Sequence, residues 1–195
     1  ISGLLSEKIG GPSVRPYQPE GIWDETSVYG NLHNYKHDKG ENLYRRSLYT
    51  IWKRTAAPPE MTLFDAPGRE VCRVRRSRTN TPLQALALMN DETFVEAARV
   101  LAQRMLTEGG SSPETRIAYA FRRAVARPPT PEEARILAAG VRKQLAQYRA
   151  HPEAAQKLIA VGDAPRDPRL DPAELAAYTM TASVLLNMDE MVTKQ

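Results

Sequence analysis

From Pro82 onward, apolar residues recur every three or four positions, the spacing of one helix face. Thr81-Pro82, Ser112-Pro113, Thr130-Pro131 and Asp171-Pro172 punctuate that pattern. In each pair a side-chain oxygen can accept from an orphan N–H of the first turn. Proline follows at the first helical position, where its missing N–H is not needed. Thr130 has Glu133 three residues on and Asp171 has Glu174, the spacing of a capping box.

The first predicted helix runs from Pro82 to about Met89 and restarts at Asn90 or Asp91. The second carries Phe94, Val95, Ala98, Leu101, Ala102 and Met105 and stops at Gly109-Gly110. The third carries Ile117, Ala120, Phe121 and Ala124 and stops at Pro128-Pro129. The fourth carries Ile136, Leu137, Val141, Leu145 and Tyr148; His151-Pro152 breaks it, and a short helix follows through Leu158. After a Pro- and Asp-rich loop, the last carries Leu175, Tyr178, Thr179, Ala182, Leu185 and Leu186. Short loops imply antiparallel neighbours, so the expected fold is all-α, a small antiparallel helical bundle.

Upstream of Pro82 the periodicity weakens. Gly10-Gly11-Pro12, Pro16, Pro19 and Gly21 interrupt residues 1–40 too often for a regular element. Tyr17, Ile22, Trp23, Val28, Tyr29 and Leu32 are nevertheless apolar, and a disordered tail rarely carries such residues. This predicts a long irregular N-terminal arm over 1–40 packed on a helical domain over 41–195, one domain in all. Residues 41–55 fit a helix with Leu43, Ser47, Leu48 and Ile51 near one face, although Leu48 to Trp52 also reads as a strand. Residues 64–88 string together a turn at Pro67-Gly68, a basic run and a capped helix. In the basic run Val71, Arg73 and Arg75 alternate with Cys72, Val74 and Arg76, which predicts an extended segment. This ribbon and the helix after it are expected to be the support around which the other helices and the arm wrap.

Composition narrows the function classes. A chain of 195 residues, 42% hydrophobic and 26% charged, can bury the core of one domain. Its net charge of +4 permits contact with anionic polymers but is modest for a nucleic-acid binder. No apolar run approaches the roughly 20 residues that span a bilayer, and no signal peptide is in view. The chain begins at Ile1 rather than methionine and is expected to be part of a longer protein. Its one cysteine, Cys72, makes no intrachain disulfide or zinc cluster.

The densest charge cluster is Arg69, Arg73, Arg75, Arg76 and Arg78. Guanidinium groups bind carboxylate, phosphate or sulfate in a planar, bidentate fashion, so Arg73, Arg75, Arg76 and Arg78 are the candidate anion-binding residues. The alternative is structural: pairing with Asp65, Glu70, Asp91 and Glu92, or docking on another domain. Asp65 and Glu70 are the candidates for an acid/base pair of the glycosidase type, against a turn carboxylate capping its own backbone. His33 and His37, four apart with Asp38 adjacent, are the candidate metal ligands, against loop histidines in solvent. Cys72 is expected to be buried, or paired with a cysteine elsewhere in a longer protein. Tyr17, Trp23, Tyr29 and Tyr35 could stack on sugars or anchor the arm.

Three blocks carry a family resemblance: Arg45-Arg46-Ser47-Leu48-Tyr49-Thr50-Ile51-Trp52-Lys53-Arg54-Thr55, Phe64-Asp65-Ala66-Pro67, and Arg75-Arg76-Ser77-Arg78-Thr79-Asn80-Thr81-Pro82-Leu83-Gln84-Ala85-Leu86. With Gly10 to Val14, Tyr17 to Gly21, and the closing stretches from Asp171 and Leu185, the chain resembles the planctomycete "PSD-one" domain family. The resemblance implies a C-terminal domain of unknown function in a large exported protein, periplasmic or extracellular. A second domain would lie upstream, often preceded by a c-type haem domain. This chain has no Cys-x-x-Cys-His and so no covalent haem of its own. The resemblance implies the upstream domain as a partner, and the arginine cluster adds an acidic or sulfated polysaccharide as a second expected one; the alternative is a share in an active site for glycan breakdown or a linked redox reaction.

Overall fold

The computed structural model describes residues 1–24 and 35–192. Among them are eight α-helices and no strand. The chain divides into two compact units, one made of Ile1–Leu4 with Ala87–Gln195 and the other of Leu5–Leu86.

The first unit is the helical bundle. Its helices are α3 (Glu92–Glu108), α4 (Pro113–Val125), α5 (Pro131–Ala150), α6 (Pro152–Ile159), α7 (Pro172–Leu186) and α8 (Asp189–Val192). The expected caps form. Asp91 accepts from Thr93 N, Ser112 from Thr115 N and Asp171 from Glu174 N. Thr130 and Glu133 close a complete capping box. Glu174 instead turns its carboxylate to Arg116, 2.6 Å away, so the box at Asp171 stays half-made. The core joins Leu101, Met105, Ile117, Phe121, Val141 and Ile159 to Leu175, Tyr178 and Leu185. α7 is the hub, packing against α3, α4, α5 and α6. It is apolar nearly all round, as a helix surrounded by others must be. Its buried Thr179 and Thr181 hydroxyls donate back to the carbonyls of Leu175 and Ala177, which satisfies them inside the core. No helix among the described residues is long and apolar enough to cross a membrane.

The second unit contains α1 (Pro59–Leu63) and the start of α2 (Pro82–Asn90). Where a helix over 41–55 was expected, there are two short 3-10 turns, Gly40–Tyr44 and Ser47–Tyr49. Arg45 and Thr50 are extended, with ψ of 156° and 132°. Tertiary pairing explains the difference. Ser6 and Val14 form isolated parallel bridges with Arg45 and Thr50, so the polar backbone groups that a helix would have used are taken by the arm. Arg45 is buried; it donates to the carbonyls of Lys8 (2.9 Å) and Gly10 (2.7 Å) and stacks on Tyr49. Val14, Tyr17, Trp23 and Leu43 are the buried hydrophobic residues of this unit among those described.

Candidate functional site

Residues of two signature blocks, Phe64 to Pro67 and Arg75 to Leu86, meet in one hydrogen-bonded knot of the second unit. It starts from Asp65, whose φ of +59° is left-handed. Aspartate tolerates that conformation better than most residues. Its carboxylate accepts from both the N–H and the hydroxyl of Thr79, each at 2.7 Å. Those bonds are the main reason its pKa lies below the usual carboxylate value. Arg76 closes the same turn from the other side, donating to the carbonyls of Asp65 (2.8 Å) and Phe64. Gln84 ties the turn to α2: its amide donates to Leu63 O (2.8 Å) and to the Thr79 hydroxyl (2.9 Å). Its side-chain oxygen accepts from Thr81 N, while its own N–H donates to the Thr81 hydroxyl. This is a capping box with glutamine at the third position. Gln84 is buried although polar, and its bonds are the reason it can be.

The knot pinches off residues 66–78 as a loop. It departs from the sequence reading in three ways. The turn falls at Phe64 and Asp65, with Arg69 (φ +60°) rather than Gly68 as the next left-handed residue. No extended segment forms between Val71 and Arg76. The ribbon is exposed rather than a support for the helices; Val74 is fully exposed, so the apolar residues of this run have no core to enter. Cys72 is likewise a free, exposed thiol rather than a buried one.

Within the loop the arginines divide. Arg69 stacks on Trp52, its guanidinium carbon 4.3 Å from the ring centre. Arg76 is engaged by the two turn carbonyls. Arg73, Arg75 and Arg78 are exposed. Glu70 is also exposed beyond the turn, while Asp65 is committed to Thr79. A carboxyl held charged by donated hydrogen bonds is poorly suited to give up a proton as a general acid.

The remaining candidates fall elsewhere. His33 and Tyr29 lie outside the described residues. The His37 ring sits 5.0 Å from that of Tyr17. Among the described residues no three His, Cys, Asp or Glu side chains come together as a metal site. Trp23 is buried and meets Tyr35 edge-on at 5.3 Å, so these rings anchor the unit rather than present a stacking face. Tyr35 donates to Pro16 O (2.6 Å), and burial raises its pKa. Arg45 and Gln84 were missed as organising residues. Both lie in the signature blocks, beside the aromatic and threonine residues they bind, and that proximity was the available signal.

A family model described as "PSD1: Protein of unknown function (DUF1553)" matches residues 1–141. The chain belongs to this family. The PSD1 match takes in the whole Asp65–Thr79–Gln84 knot and ends inside α5. No curated protein matches the chain, and no solved structure does.

Proposed function

We propose that this PSD1 chain is an interaction domain and that its arginine loop contacts an anionic polysaccharide, carboxylated or sulfated. The observation that supports this reading is the division of labour among the arginines. Arg76 and the Asp65 knot fix the feet of the loop. Arg73 and Arg75 are exposed, with no ion-pair partner among the described residues. Unpaired guanidinium groups on a tethered loop suit a polymer of repeated anionic groups, which they can grip in bidentate fashion. The family resemblance suggests an exported planctomycete protein with an upstream domain and often a haem c domain before it, and this supports the reading. That setting brings it to extracellular polysaccharide.

The test is binding of the full chain to dextran sulfate and polygalacturonate against neutral dextran, at rising salt. Saturable, salt-sensitive binding to the charged polymers is expected. The Arg73→Ala/Arg75→Ala variant should weaken it roughly tenfold with an unchanged circular dichroism spectrum. Equal binding of variant and parent, or no preference over neutral dextran, would overturn the reading. A tighter, steeply salt-dependent grip on duplex DNA would replace it with nucleic-acid binding.

A further inference from the structure

The helical unit holds a cleft of about 440 Å³ where the α6–α7 loop turns back over α7. That volume lies within the range of small-molecule sites. Its walls are apolar: Ile159 from α6, Leu170 and Pro168 from the loop, and Leu175 from α7. Two polar side chains of opposite character also line it, Arg166 and Asp167.

Their charges are not equivalent. The Asp167 carboxylate is bound by the Arg169 guanidinium at 2.7 and 2.9 Å and by the Arg169 N–H at 3.0 Å. Those bonds hold its pKa at about 2 and neutralise it as a pair. Among the described residues Arg166 donates only to the neutral amide oxygen of Gln156, at 3.3 Å. The cleft therefore has one uncompensated positive charge beside an apolar wall. The Gln156 side-chain amide lines the cleft beside it as a second polar group.

The loop that builds this wall is anchored from beneath. Arg99, buried on α3, donates to the carbonyls of Val161 (3.2 Å) and Ala164 (2.8 Å). Its buried neighbour Glu96 accepts from Ala164 N at 2.6 Å. Gly162 between them has φ +81°, and a Cβ there would stand 2.2 Å from Glu96 Cδ. A buried charge pair is seldom the most stabilising filling for a core. Here it fixes the backbone at the start of a loop whose far half lines the cleft. Pre-formed walls of this kind lower the ordering cost of binding.

We propose that this cleft binds a small organic anion, a monocarboxylate with a compact aliphatic or aromatic body. The carboxylate is received by Arg166 and Gln156, and the body lies against Pro168, Leu170 and Pro172, over the buried Ile159 and Leu175. The site is separate from the arginine loop and stands or falls independently of it.

The experiment is a titration of the full chain, followed by amide NMR shifts, with benzoate, phenylacetate and isovalerate, and with benzyl alcohol as the uncharged counterpart. Saturable shifts confined to residues 156–175 are expected, with the aromatic acids roughly tenfold tighter than the alcohol. Arg166→Gln should bring the acids down to the level of the alcohol and leave alcohol binding unchanged. Leu170→Ala should weaken both, which separates the charge from the wall; because Leu170 also packs against the core, an unchanged circular dichroism melt is read alongside. The assignment is overturned if no acid gives saturable shifts at millimolar concentration, if acid and alcohol bind alike, or if Arg166→Gln leaves acid binding intact. A tripeptide ending in a leucine carboxylate, run alongside, tells a free acid from a peptide terminus. Tighter binding of the peptide than of any acid would replace the small-molecule assignment.

Discussion

The helical unit and the unit formed by Leu5–Leu86 face the same difficulty, the polar backbone, and meet it by different means. In the helical unit α3 to α7 satisfy their own N–H and C=O groups, so side chains are released to pack, and α7 gathers them into one core. In the other unit regular structure is scarce, and side chains do the satisfying. Arg45 serves Lys8 and Gly10, Arg76 serves Phe64 and Asp65, and Gln84 serves Leu63 and Thr81. A polar signature block is therefore informative about architecture before it is informative about chemistry. The residues that look reactive in a row of arginines, threonines and an aspartate are largely holding main chain in place.

The comparison breaks most visibly at the point where the helical unit borrows the other unit's method. Arg99→Met leaves buried Glu96 without its ion partner and strips two loop carbonyls of their donor; it should destabilise the helical unit by about 3–5 kcal/mol in denaturant melts. Adding Glu96→Leu should fail to restore stability, because Ala164 N then loses its acceptor as well. Full recovery would show that the pair does not hold the loop. Next in size, Gly162→Ala should cost about 3 kcal/mol, since both its φ and its space exclude a methyl group. In the other unit, Arg45→Ala should cost about 2 kcal/mol locally. Faster hydrogen exchange across residues 6–14 is expected there, with the helical circular dichroism melt unmoved. A shift in that melt would mean that the two units unfold together.

The smallest effect is that of acid. Arg127 holds the Glu133 carboxyl at about 2, against an ordinary value of 4.5. A carboxyl depressed in the folded state stabilises it fully above its unfolded value and loses that contribution as pH falls through the folded one. Stability of the helical unit should thus decline between about pH 4.5 and pH 2. Arg127→Met should flatten that decline in acid melts.

Much of the helical unit could be read from the sequence because its signals are local. Each Thr/Ser/Asp-Pro start needs only its own first turn to act, and all four caps form. Residues 41–55 were misread because their pairing partner lies some forty residues upstream, in an arm with no periodicity. The arginine ribbon was misread as a support because charge density draws the eye, whereas Asp65, Thr79 and Gln84 carry the structure. The Glu96–Arg99 pair was invisible for a simpler reason: spaced by three on a helix, it looks like any solvated surface pair. Nothing nearby announces that a glycine sixty-six residues later will close over it.

The position of α7 has a consequence for synthesis. Its core residues leave the ribosome after α3, α4, α5 and α6, yet all four of those helices pack on them. The earlier helices must wait with their apolar faces unburied until Leu185 emerges, and a chain stalled at the end of α5 is a natural client for holdase chaperones.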